Sequence, residues 1–140
     1  MELDFAFLAD SAEVTGGKLY VLGGAFDTIW VKESPVTLPR MTLVMRFLMT
    51  PAETGREHRL EIMIIDEDGR KIVNLSSGIN VERAPNLGPG VKQSVPIALN
   101  FFNTRFEKIG AHAIEILVNG TSLKSIPLKI QQQPLSRANA

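Results

Sequence analysis

The sequence predicts an all-β domain, a single antiparallel β-sandwich of about eight or nine strands, immunoglobulin-like or a related Greek key, with a closed barrel as the alternative topology. Three observations carry that expectation. Apolar residues recur at every second position in most segments, the period of a strand with one buried face. Turn signals rich in Gly, Pro, Asn and Asp recur about every 8–14 residues, the spacing of a sandwich rather than of βαβ units. Asn119-Gly120 joins two alternating runs, and this dipeptide readily takes the positive φ angles of a type I′ hairpin turn. No segment sustains a 3.6-residue apolar period.

The first strand is expected over residues 3–9, with Leu3, Phe5, Phe7 and Ala9 on one face. Thr15-Gly16-Gly17 turns the chain into residues 18–22, and residues 25–31 resume the run with Phe26, Thr28 and Trp30 alternating. The pair Gly23-Gly24 between them marks a bulge or a bend at which the chain crosses between sheets. A phosphate-cradling loop would need a helix N-terminus behind the glycines, and β-rich residues follow instead. Pro35 and Pro39 make residues 32–40 a loop. Met41, Leu43, Met45, Phe47 and Met49 then alternate with Thr42, Val44, Arg46 and Leu48, so the methionines read as core rather than as an adaptable surface.

Residues 50–56 form a polar loop, and His58, Leu60, Ile62 and Ile64 mark the next inward face, ending in a turn at Asp66-Glu67-Asp68-Gly69. Two short pieces, residues 70–73 and 79–82, follow as return strands. Pro85, Gly88, Pro89 and Gly90 make residues 84–93 the loop expected to be most mobile, while Val95, Ile97, Leu99 and Phe101 give a strong strand. In the closing hairpin the two-residue turn pairs Val118 with Thr121 and Ile116 with Leu123. Carried on unbroken, that register would turn Ile126 and Leu128 away from Ile114. Either a β-bulge near Ser125 brings Ile126, Leu128 and Ile130 inward, which is the favoured expectation, or Ala111, Ala113, Ile126 and Leu128 lie under a covering loop or partner. The sandwich is thus expected over residues 1–130, with 131–140 a disordered tail.

Composition narrows the chemistry. At 140 residues the chain is long enough to bury a sizeable core without metals or disulfides. It has no cysteine, which removes thiolate nucleophiles and zinc ribbons. Fifteen basic residues balance fifteen acidic ones with no dense basic run, so nucleic acid is not an expected partner. No apolar stretch approaches the ~20 residues that a membrane helix needs, and Met1-Glu2-Leu3-Asp4 is acidic where a secretory signal is basic, so a cytoplasmic location without membrane contact is expected.

The stretches Asp4-Phe5-Ala6-Phe7-Leu8-Ala9-Asp10 and Gly17-Lys18-Leu19-Tyr20-Val21-Leu22-Gly23-Gly24-Ala25-Phe26-Asp27 resemble an uncharacterised bacterial family, one of the domains of unknown function. Gly55-Arg56-Glu57-His58-Arg59-Leu60, Pro96-Ile97-Ala98-Leu99-Asn100-Phe101 and Ile114-Glu115-Ile116 before Val118-Asn119-Gly120 are similar to it too. Ala25 and Phe26 stand where such members typically have a third glycine and a tryptophan, and His112 stands where they have an aromatic such as tyrosine. The resemblance implies an immunoglobulin-like or related sandwich and brings no activity and no catalytic residues.

Catalytic constellations are thin. His58 and His112 lack further ligands at metal spacing and read as histidines at the edge of the core. Asp66, Glu67 and Asp68 at a loop tip lack the remaining ligands of a calcium loop, and Arg70-Lys71 offsets their charge. Gly-x-Ser-x-Gly is missing. Asp4, Asp10 and Asp27 belong to the family-like motifs: Asp4 is expected to be solvated, Asp10 to cap a turn at Ser11-Ala12, and Asp27 to tie down the Gly23-Gly24 bend. No cofactor and no enzyme activity are expected. The leading expectation is a protein-interaction or assembly module, with an unknown protein or a second copy of the chain as partner. The alternative is a small-ligand or carbohydrate binder using Trp30 and the loop of Pro85, Gly88 and Gly90, with a hydrolase third.

Overall fold

Strands with one apolar face must bury those faces against each other, and two stacked sheets are the simplest way to do so. The computed structural model describes residues 1–134, and within them nine strands form this arrangement. They are β1 (Glu2–Thr15), β2 (Lys18–Phe26), β3 (Thr28–Val31), β4 (Val36–Met49), β5 (Glu57–Asp66), β6 (Lys71–Asn80), β7 (Gln93–Phe106), β8 (Gly110–Val118) and β9 (Thr121–Gln132). One sheet has the order β2-β1-β4-β7 and the other β3-β9-β8-β5-β6. The strand pairs are antiparallel except β3 with β9, which run parallel. A one-turn 3₁₀ helix at Pro51–Glu53 links β4 to β5.

The core lies where the period-two pattern places it. Met41, Leu43, Met45, Phe47 and Met49 are at most 1% exposed, and the first four pack with Leu60, Ile62, Ile64, Ile114, Ile116 and Leu128 of the other sheet. Each such side chain contributes about 1.5–3 kcal/mol of burial. The first sheet is also apolar on its outer face, where Ala9, Ala12 and Val44 are buried under Phe5, Phe7, Leu19 and Ala98.

Five expectations change. A register irregularity between Leu3 and Phe5 reverses the parity of β1: Leu3, Ala6 and Leu8 face the core, while Phe5, Phe7 and Ala9 join the outer cluster. The presumed loop at 32–40 already contains the start of β4 at Val36. Pro39 is tolerated there because pairing with β1 begins only at Thr42, so that stretch has β7 as its neighbour and needs no second row of amide donors. The two short pieces expected around 70–82 are one continuous strand, β6, whose polar middle resembles a loop because it is exposed. The chain does cross between sheets after the glycine pair, but at Asp27, between β2 and β3. Finally, β9 continues through Gln132, past the expected end of the sandwich, and the remainder of the presumed tail, 135–140, lies outside the described residues.

The closing hairpin contains the expected bulge, placed two residues earlier than Ser125. Val118 pairs with Thr121 and Leu117 with Ser122, but Ile116 then meets Lys124, so Leu123 is the extra residue. Ile114 consequently faces Ile126, and Ile126, Leu128 and Ile130 are buried.

Candidate functional site

The glycine pair, the aspartate before it and the tryptophan after it converge at the crossover between sheets. Gly23 has φ +61° and Ala25 has φ +65°, and β2 shifts register against β1 so that Leu8 meets Phe26 while Ala9 meets Gly24. Ala25 is the extra residue of this bulge. Asp10 lies within β1, not at a turn, and its carboxylate occupies the space above Gly23: a β-carbon there would fall 2.2 Å from Asp10 Oδ2. Asp27 serves the junction of β2 and β3 rather than the glycines. Its carboxylate accepts from the Thr28 hydroxyl at 2.9 Å, and its carbonyl accepts from the Lys129 amide at 2.8 Å. Asp4 stands apart, paired with Arg46 on the surface.

Asp10, Gly23, Gly24, Thr28, Trp30 and Arg40 thereby line one open cleft of about 550 Å³. A second hollow of about 510 Å³ lies beside it, walled by Ser11, Glu13, Tyr20, Leu22 and the same Arg40. The Arg40 guanidinium lies over the Phe102 ring at 5.8 Å from its centroid, a cation–π distance, and also donates to Asn100 Oδ1 at 3.5 Å. Asn100 is itself fixed by the Thr42 hydroxyl at 2.8 Å. Around this arginine the apolar side chains are open to solvent: Leu22 72%, Phe102 63%, Tyr20 54% and Trp30 44% exposed.

The loop of Pro85, Gly88 and Gly90 does not join Trp30. Leu38, Arg40 and Met41 border the cleft at the start of β4, whereas the loop leads into Gln93, which pairs with Met49 at the other end of that strand. The loop is also stitched to itself. Arg83 donates to the carbonyls of Val91 at 2.6 Å and Gly88 at 2.9 Å, and Gln93 bridges the Ala84 amide and the Glu82 carbonyl.

Both histidines are occupied structurally. His58 Nε2 donates to the Glu53 carbonyl at 2.7 Å, and its Nδ1 accepts from the Asn119 side chain at 3.0 Å. His112 bonds the Gly110 carbonyl and meets Phe106 edge to face. Asp66 accepts from the amides of Arg70 and Asp68, and those bonds, with Lys108 nearby, hold its carboxyl below the usual range against the opposing effect of burial. Among the described residues, no group of three or more His, Cys, Asp or Glu side chains is placed to hold a metal, and every buried side-chain nitrogen or oxygen has a partner.

Glu53 gives the clearest pH dependence. Burial alone would raise its carboxyl, but the Met1 ammonium and the amide and hydroxyl of Thr50 outweigh it and lower the pKa to about 2. The ionised form is thus favoured by folding, so the stabilisation is complete above the unfolded pKa of 4.5 and fades as pH falls towards 2. Glu53→Gln is expected to cost about 1 kcal/mol at pH 7, after allowance for solvent screening, and only a small part of that near pH 2. Urea melts of both proteins at pH 7 and pH 2.5 check this, and a cost independent of pH would refute it.

A model of a family of unknown function matches residues 4–131. The chain belongs to DUF6941. The matched span of this DUF6941 chain includes the crossover, the cleft and the Arg40 surface. No curated protein matches the sequence. Among solved structures, it is similar to the Pseudomonas fluorescens alkylpurine DNA glycosylase AlkC bound to DNA containing an abasic site analog, with 19% identity and a TM-score of 0.40. That likeness covers 75% of this chain and 27% of the other, so the DUF6941 chain spans about a quarter of that protein's length.

The sequence reading missed Arg40, Tyr20, Leu22 and Phe102. One signal was available: in Phe101-Phe102, strand alternation forces one ring outward.

Proposed function

We propose that this DUF6941 chain is a non-catalytic protein-interaction module on an immunoglobulin-like sandwich, with a contact surface centred on Arg40. The observation that carries this reading is the clustering of exposed side chains around one arginine shared by two hollows. Trp, Tyr and Arg are the residues that most often dominate binding energy at protein interfaces. Four large apolar side chains left in water around a braced guanidinium have a cost that burial against a partner removes. Asp10 and Glu13 beside Arg40 add charge of the opposite sign, which favours a partner surface of mixed polarity over a polyanion. Two stacked sheets with the crossing at Asp27 support the immunoglobulin-like assignment.

The test is affinity purification from the native cell with wild type, Arg40→Glu and Leu22→Asp. Both side chains are exposed, so melting temperatures should stay within a few degrees of wild type. A specific co-purifying protein should fall at least tenfold with either variant, and recovery of the same protein by all three would refute the surface.

A second reading rests on the cleft itself, where the half-exposed Trp30 lies on the wall with Asp10 and Thr28. An aromatic plane beside a carboxylate and a hydroxyl suits a small polar ligand such as a saccharide. Trp30 is the only tryptophan, so its fluorescence reports on this cleft alone. Emission that stays unchanged across a saccharide panel would eliminate this reading.

A further inference from the structure

We infer that the chain forms a two-fold dimer by antiparallel pairing of β6 with β6 of a second copy. The argument begins with sheet edges, whose unpaired amides and carbonyls must be protected or used. Among the described residues the two sheets have four edge strands, β2, β7, β3 and β6. Three are blunted. β3 has four residues, β2 is broken by the positive φ angles of Gly23 and Ala25, and β7 carries Pro96, the left-handed Asn103 and charged Arg105.

Beyond Lys71 and the irregularity at Ile72 that open it, β6 has none of these devices. From Ile72 to Asn80 it contains no charge, no proline and no positive φ. Its register with β5 runs unbroken from Asn80 opposite Glu57 to Val73 opposite Ile64. Its core-facing row is also left open midway. Leu75 lies opposite Ile62, which is 1% exposed, yet Leu75 itself is 39% exposed, and Ser77 beside it is exposed as well. A hollow of about 350 Å³ lies there between Ile72, Val73 and Leu75 of β6 and Phe101 of β7. A strand added beside β6 would satisfy the free backbone groups and lay its inward side chains against Leu75.

A second copy fits this edge. The net charge is zero, so two copies do not repel at long range. Antiparallel pairing centred on Ser76 places Leu75 of each copy opposite Ser77 of the other, and Val73 opposite Ile79, so inward residues meet inward residues. Beyond the unbroken stretch, past the irregularity at Ile72 and the end of β6 at Asn80, Lys71 of each copy comes towards Glu82 of the other, an attraction of unlike charges repeated at both ends of the seam. On the outer face Arg59 donates to the Ser76 hydroxyl at 3.1 Å and pairs with Glu61 at 3.5 Å, so no bare charge faces its own copy across the axis. The two five-stranded sheets would then run on as one.

The hollow beside β6 adjoins the Arg40 surface through Asn100 and Phe102. Arg40 and Leu22 do not line it, however, and Leu75 and Ser77 do not line the Arg40 hollows, so the variants let the two proposals fail separately. The test uses light scattering and a cysteine cross-link, which the cysteine-free chain makes unambiguous. Wild type is expected to be a dimer at high micromolar concentration. The double variant Leu75→Lys with Ser77→Lys, at two exposed positions, is expected to be a folded monomer. Directly opposed residues in antiparallel strands have Cα atoms ~4.5–5.5 Å apart, within the range a disulfide spans. Ser76→Cys should therefore oxidise to a covalent dimer at least tenfold faster than Leu22→Cys, which places an exposed thiol on β2. A strictly monomeric wild type, a dimer that survives both lysines, or equal cross-linking of the two cysteine variants would each overturn the inference.

Discussion

Gly24→Val is expected to destabilise the protein by about 2–3 kcal/mol, read as a lower denaturant midpoint at unchanged slope. A β-carbon at Gly24 would lie 2.9 Å from Val21 Cγ1 and 3.1 Å from Phe7 Cε2, and valine adds two methyl groups beyond that. Val21 is exposed and can give way, but Phe7 does not move cheaply. Phe7 stacks on Phe5 with ring centroids 5.9 Å apart, and both cover the buried Ala9 and Val44 on the outer face of the first sheet. Overpacking of this kind forces off-rotamer side chains or backbone shifts. Ala25→Gly, one residue on, should act in the opposite direction. Alanine at φ +65° bears a left-handed conformation that costs roughly 1–2 kcal/mol, and glycine relieves it at some cost in unfolded-state entropy. A gain of about 0.5–1 kcal/mol is expected. An unchanged midpoint for Gly24→Val would show that the Phe5–Phe7 cover is loose.

Asn119→Gly is expected to cost about 2 kcal/mol, although glycine suits a type I′ turn at least as well as asparagine does. The turn geometry is only half of what Asn119 supplies. Its Oδ1 accepts from the Arg59 amide at 2.9 Å while its Nδ2 donates to His58 Nδ1 at 3.0 Å, so one side-chain amide extends the β5–β8 ladder and orients a buried imidazole. Glycine keeps φ +51° at no strain and keeps the backbone bond from the residue 119 amide to the Arg59 carbonyl, but it leaves the other two groups without these partners. Urea unfolding checks the cost, and stability equal to wild type would mean that the turn alone accounts for this asparagine.

The contrast between these positions shows what was legible in the sequence. The Asn119-Gly120 turn, and the inward faces of β4, β5 and β8, follow from a strict period of two with one face buried, so no tertiary information was needed. Parity in β1 was not legible, because a single irregularity beside Asp4 exchanges its faces and leaves no mark in composition. β6 resembles two pieces in sequence because an exposed edge strand has no apolar pattern in its middle. The candidate site was legible only in part. Asp10, Gly23, Gly24 and Trp30 are close in sequence and do share a cleft. Arg40 sat in a proline-rich stretch, and Phe102 is separated from Arg40 by more than sixty positions, 102 against 40, so only the pairing of β4 with β7 brings the two together.

The parallel contact between β3 and β9 has a consequence for the order of events during synthesis. Thr28 pairs with Lys129 and Val31 with Gln132, so β3 leaves the ribosome about a hundred residues before its partner, 28 against 129. Pairings this distant in sequence raise contact order and form late, since a long loop must close before any contact rewards it. The first sheet can assemble once β7 has been translated, but the second stays unfinished until the last described strand, β9, emerges. Through that interval Trp30 sits on an unpaired strand, so a stalled or shortened nascent chain would present it as a sticky edge.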